Sequence, residues 1–158
     1  MRIDTPTEAD VRLVAQRVSA RHRAEVLALT AIDEADLPDL LAQRFGEDGV
    51  AAYIGSRPGA VGRVFTLRPN VATLAFITTD DFRRVAKGFT LFLRDRLFPS
   101  LRASGVHRIE FLTMDEFVRA KRWITLLGLR QEAVLRGYGR GGEDFVQFAW
   151  VDDVRPVR

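Results

Sequence analysis

The chain contains no cysteine, only two histidines and, among its 24 basic residues, only two lysines, Lys87 and Lys121. Without cysteine there is no disulfide, no thiolate nucleophile and no cysteine metal centre. His22 follows a helix and His107 precedes a strand; two such histidines are too few to expect a bound metal. No apolar run approaches the roughly 18 residues of a membrane span. Met1-Arg2-Ile3-Asp4 lacks the apolar core of a signal peptide, so the cytoplasm is the expected compartment. No Walker loop, Rossmann fingerprint or Ser-His-Asp arrangement appears, and no repeat, linker or low-complexity segment interrupts the chain.

What is there fits an ordinary globular protein. At 158 residues, 47% hydrophobic and 28% charged, the chain can bury a real core. The expectation is a single domain over 1–151 and a charged tail over 152–158. A pI of 9.9 looks like a nucleic-acid signal, yet the net charge is only +3. Arginine stays charged to a pH of about 12 or beyond, so a small excess drags the pI upward. Acidic residues are interspersed throughout and leave no basic stripe, which argues against nucleic acid as a partner.

Thr5-Pro6-Thr7-Glu8 reads as a helix start, with Thr5 capping and Glu8 returning the capping-box bond. Val11, Val14, Ala15 and Val18 then form one apolar face. A second helical segment over 34–44 turns Leu37, Leu40, Leu41 and Phe45 inward. From Gly46 the pattern changes. Val50 to Ile54, Val61 to Leu67 and Val71 to Thr78 are short β-branched and aromatic runs, separated by Ser56-Arg57-Pro58-Gly59 and Arg68-Pro69-Asn70. They predict an antiparallel meander. A helix from about Phe82, a strand over 108–112, a capping box at Thr113-Met114-Asp115-Glu116, a helix ended by Gly128, and two strands over 129–138 and 144–151 complete the chain.

The predicted order is β-α-α-β-β-β-α-β-α-β-β, an α/β (α+β) fold with a mostly antiparallel sheet flanked by helices. The crossover from Thr78 to Arg108 is long enough to make those two strands parallel neighbours. Parallel strands that diverge open a cleft where the crossover helix starts. Arg83-Arg84-Val85-Ala86-Lys87-Gly88 lies there, and arginine charge beside helix-start amides suits a phosphate. The same residues also suit the solvated face of an amphipathic helix, and Ala86 stands where a glycine-rich cradle has its first glycine.

On these residues the chain resembles the Gcn5-related N-acetyltransferase superfamily (GNAT). Arg83-x-x-Ala86-x-Gly88 matches two of the three fixed positions of that family's acetyl-CoA loop. Ala120 to Glu132, Leu135-Arg136-Gly137-Tyr138 and Asp144-Phe145-Val146 are similar to its closing helix and strands. The segments Thr78-Thr79-Asp80-Asp81-Phe82, Arg122-Trp123 and Gly142-Glu143-Asp144-Phe145 resemble a narrower branch encoded by bacteriophages and prophages, some of whose relatives are virion proteins.

The resemblance implies an N-acetyltransferase that uses acetyl-CoA on a small-molecule or peptide amine. It places Phe76, Ile77 and Thr78 on the pantetheine arm, and Arg83, Arg84, Val85, Ala86, Lys87, Gly88 and Phe89 around the diphosphate. The backbone at Ile77 or Thr78 would stabilise the thioester oxyanion. The family's tyrosine acid and helix-start asparagine are matched here by Ile124 and Phe117. Glu110, flanked by Ile109 and Phe111 on a central strand, is the preferred base, with burial expected to raise its pKa; an edge carboxylate paired with Arg108 is the alternative. Asp80 is a second acid, more often a helix cap. Tyr138 could supply a hydroxyl, although a tyrosine in a late strand is usually core; Trp123 and Trp150 read as core. A virion protein without turnover and a module that dimerises through the strands after Gly128 are the competing readings.

Overall fold

The computed structural model describes residues 1–46 and 48–152, so most of the expected tail lies outside the described residues. The alternating runs from Val50 onward form the predicted meander: β2 (Val50–Ile54), β3 (Arg57–Arg68) and β4 (Val71–Thr78). β3 starts earlier than its apolar run suggests, because the chain reverses at Gly55 (φ 61°), leaving Pro58 and Gly59 inside the strand. Asn70 (φ 59°) closes the β3–β4 turn, a left-handed position its short polar side chain tolerates. With β1 (Arg2–Asp4), β5 (Arg108–Met114), β6 (Arg130–Leu135) and β7 (Phe145–Val151), the sheet runs β1-β2-β3-β4-β5-β7-β6. All of its pairings are antiparallel except β4–β5. This is the mixed, mostly antiparallel α/β architecture expected, with β1 and β6 at the edges.

Helices cover both faces. On one, α4 (Phe82–Phe92), α5 (Phe98–Ala103) and α6 (Val118–Leu126) bury Val85, Phe89, Phe98 and Ile124 against Leu74, Phe76, Ile109 and Phe111. On the other, α1 (Glu8–Gln16) and α3 (Leu37–Phe45) bury Val11, Val14, Leu41 and Phe45 against Ala51, Val61 and Ile77. Adjacent strand residues such as Phe76 and Ile77 thus face opposite layers, as the two-residue strand period requires. A π-helical turn, Leu93–Leu97, joins α4 to α5 just ahead of Pro99, which has no amide to continue the ladder.

Three local expectations are corrected. The α1 cap is Thr7, which accepts from Asp10 N while Asp10 accepts from Thr7 N; Thr5 instead gives its amide to Asp4 Oδ1. No capping box forms at Thr113: β5 continues through Met114, and the Thr113 hydroxyl donates to Glu25. A helix absent from the predicted order, α2 (Ala20–Ala28), follows α1, capped by Ser19. Gly128 ends α6 as expected, at φ 93°.

Candidate active site

β4 and β5 hydrogen-bond over only part of their length. Their register runs from Val71–Arg108 to Leu74–Phe111; Ala75–Thr78 and Leu112–Met114 then diverge into a fork. Thr79 N donates to Gly59 O on β3. By the alternation of an antiparallel ladder, the backbone groups of Phe76 and Thr78 therefore face the fork, while those of Ile77 face β3.

The missing helix α2 spans the open end of that fork. Its three buried residues are His22, Glu25 and Ala28, two of them polar. His22 Nδ1 lies 2.8 Å from Thr78 Oγ1 on β4. Glu25 Oε1 accepts from the Thr113 hydroxyl and from Met114 N (2.9 Å) on β5. Ser19 N, just ahead of α2, donates to Thr78 O at 2.8 Å. One short segment thus satisfies both prongs, whose polar groups would otherwise be buried without partners.

The charge states follow from these contacts. Arg21 Nη2 approaches His22 Nε2 at 2.8 Å, so we assign Nε2 as the acceptor and Nδ1–H as the donor to Thr78. Burial and then the Arg21 charge hold His22 well below its ordinary pKa, so it is neutral. Burial pushes the Glu25 carboxyl up, against the hydrogen bonds of Thr113 and Met114 and the charge of Arg21. Glu25 Oε2 makes only long contacts, 3.8 Å to Arg21 and 3.9 Å to His22. Among the described residues no fully buried side-chain polar atom lacks a hydrogen bond. Oε2 is therefore not fully buried, and Glu25 and His22 help to line a cavity of about 610 Å³.

The residues singled out from the sequence divide. Arg83 to Gly88 form the first turns of α4 rather than a loop ahead of it. The amides of Phe82 and Arg84 bond to Thr79 O and Asp81 O, and that of Asp81 to Thr79 Oγ1, so three donors of this turn are engaged locally. Arg83, Arg84 and Lys87 are exposed; Val85 and Phe89 are core; Ala86 and Gly88 are half-buried. On the same face, Phe76 stacks on Phe111 (5.5 Å) and meets Trp123 edge-on (5.9 Å). Phe82 also meets Trp123 edge-on (5.7 Å), bridging α4 and α6.

Glu110 lies in the closed part of the ladder, opposite Thr73, away from the fork. It accepts from Arg68, Thr73, Arg108 and Gln147. Burial pushes its pKa up, but hydrogen bonds from Arg108 and Thr73 and the charges of Arg68 and Arg108 outweigh it. The net shift is downward, reversing the expected direction. Asp80 is exposed, and Asp81 pairs with Arg17 at 3.0 Å. Tyr138 is not core: it is 53% exposed at the mouth of the cavity. The buried polar residues at the fork that the sequence reading did not bring to this site are His22 and Glu25, whose i, i+3 spacing behind a Ser19 cap was their one visible signal.

No protein-family profile matches the chain, and no curated protein matches it. Solved structures do. The ribosomal-protein-S18-alanine N-acetyltransferase of Escherichia coli superposes with a TM-score of 0.69 at 17% identity, covering 99% of this chain and 97% of that one. A GNAT-family acetyltransferase from Bacillus anthracis gives 0.71 at 13%, covering 94% and 93%. A Salmonella typhimurium protein solved with its cofactor acetyl-CoA gives 0.69 at 15%, covering 99% and 96%. The chain has the fold of the GNAT acetyltransferases. Among the described residues, no helix is long and apolar enough to cross a membrane.

Proposed function

We propose that this protein is an acetyl-CoA-dependent N-acetyltransferase whose acceptor amine reaches the fork from the α2 face. The observation that carries the reading is the fork itself, open beyond Leu74–Phe111 and faced by a carboxylate with one free oxygen. The pantetheine arm fits the fork edge: Phe76 and the Thr78 amide point into it, Thr78 O is already taken by Ser19, and Ile77 contributes only a side chain to the opposite layer. The diphosphate fits through the exposed charges of Arg83, Arg84 and Lys87 and not through a cradle of amides. When bound, the cofactor supplies an activated acetyl thioester.

The chain's own residues hold the acceptor and handle its proton. Glu25 Oε2 is placed to receive a proton from an amine, and its raised pKa suits that task better than the depressed one of Glu110. Glu110 becomes the alternative base only if Arg68, 61% exposed at its side chain, swings away. Titration calorimetry with acetyl-CoA, together with free-thiol release across a panel of amines, tests the reading. Saturating acetyl-CoA that produces neither heat nor a melting shift removes it.

A second reading has its own observation. The Phe82–Trp123 contact and the helical Arg83–Gly88 segment fill the route between α4 and α6. They favour a protein that keeps the fold without turnover, as in the virion-associated branch. Thiol release with any amine argues against it.

A further inference from the structure

The cavity behind Glu25 has a composition that selects a ligand. Its volume of about 610 Å³ falls within the roughly 300–1,000 Å³ range of small-molecule sites. Between α2, α3 and the sheet its walls are apolar: Val26, Leu41, Phe45, Phe65, Ala75 and Leu112. Its mouth carries Leu29, Leu67 and Tyr138, which are 43%, 74% and 53% exposed. Large apolar side chains ringing a cavity mouth point to an apolar ligand body passing between them.

The charges are as selective as the walls. Among the described residues, Glu25 is the one acidic residue lining the cavity. Its Oε1 is satisfied twice, whereas Oε2 has no partner closer than 3.8 Å. One cationic nitrogen completes it. A second positive charge in the same ligand would meet Arg44, which lines the cavity and has no side-chain ion pair among the described residues. A polyamine is therefore disfavoured. A peptide is disfavoured too, because the walls offer few partners for its backbone groups.

We propose that this cavity is the acceptor pocket for a small primary monoamine with an aromatic or branched apolar body, its nitrogen seated on Glu25 Oε2. The assignment rests on the acetyl-transfer reading for the cavity's role, and on the cavity alone for the ligand.

The probe is 2-phenylethylamine, titrated calorimetrically into the full chain without acetyl-CoA, beside spermidine and an alanine-initiated tripeptide. The expected result is saturable binding of the probe and much weaker binding of the other two. Glu25→Gln keeps the acceptor for Met114 but loses the charge, and it should weaken the probe by roughly tenfold or more, the loss of one charge-assisted hydrogen bond. Val26→Trp, which fills the cavity from α2, should abolish binding and keeps the test decisive if the Gln variant folds poorly. Tighter binding of spermidine or the peptide overturns the proposal, as does probe binding indifferent to both substitutions. Probe binding in a protein that never binds acetyl-CoA leaves the pocket standing and removes the transfer reading. Thiol release with peptides, alongside no probe binding, does the reverse.

Discussion

Glu25→Ala should destabilise the protein markedly, whereas Glu25→Gln should not. The carboxylate accepts from Met114 N and from the Thr113 hydroxyl, and Thr113 is fully buried. With alanine the Met114 amide has nowhere to turn, and an unsatisfied buried donor costs about 1–3 kcal/mol. The hydroxyl can rotate, and water entering from the cavity recovers part of the loss. The net expectation is about 2 kcal/mol, or roughly 4–8 °C in Tm for a chain of this length. Glutamine preserves an acceptor oxygen and removes the buried charge. Because the folded pKa of Glu25 is raised, by burial first, its linked stability is fully present below its unfolded pKa of about 4.5 and is lost as pH rises through the folded value. The Gln variant does not titrate there, so its stability relative to the parent should improve as pH rises above about 4.5. Urea melts of the three proteins at several pH values measure all of this. An alanine variant within about 0.5 kcal/mol of the parent, or a Gln-minus-parent difference that falls as pH rises, refutes the placement of Glu25 at the fork.

Glu110 should show the opposite linkage: its folded pKa is depressed, so its contribution is present above about 4.5 and lost as pH falls through the folded value. Glu110→Gln should cost about 2 kcal/mol near neutrality and remove that part of the acid limb, and an acid titration of stability unchanged by it counts against the Arg68–Glu110–Arg108 cluster. A Cβ at Gly62 would lie 2.1 Å from Phe76 Cδ1; Gly62→Ala should therefore displace that ring, cost about 1–3 kcal/mol, and alter Trp123 fluorescence through the 5.9 Å Phe76–Trp123 contact. Unchanged fluorescence and Tm would contradict that packing. Phe82→Ala should red-shift Trp123 emission and tighten acetyl-CoA binding several-fold; unchanged affinity would show that the Phe82–Trp123 contact is no barrier.

Much of the fold was legible because burial there is apolar. The runs 50–54, 61–67 and 71–78 alternate against two layers, and the long crossover to Arg108 foretold the parallel pair and its fork. What stayed hidden is polar and buried. α2 turns His22 and Glu25 inward, so it lacks the i, i+3, i+4 apolar stripe that marked α1. The misplaced box at Thr113 has the same origin. Its hydroxyl looks free to cap a helix until Glu25, 88 residues earlier, claims it. Glu110 erred in the other direction: a carboxylate between two apolar neighbours suggested a raised pKa, but Arg68 and Arg108 converge on it from β3 and β5. The Arg108 pairing, two residues away on the same strand, was the alternative the sequence offered; the Arg68 contact, 42 residues away, has no local signature.

The fork and α2 depend on each other. Diverging strands expose polar groups that no ladder can satisfy, and an apolar helix over that opening would leave the Thr78 hydroxyl and Met114 N without partners. A water-filled opening would satisfy them at no cost in buried charge. The chain instead places an arginine, a histidine and a glutamate there, and then leaves one oxygen of a cavity-lining glutamate with only long contacts. For structure alone, glutamine would serve as well and would avoid desolvating a carboxylate. The ionisable group is the part that scaffolding does not explain, and a ligand bearing positive charge is what it is suited to meet.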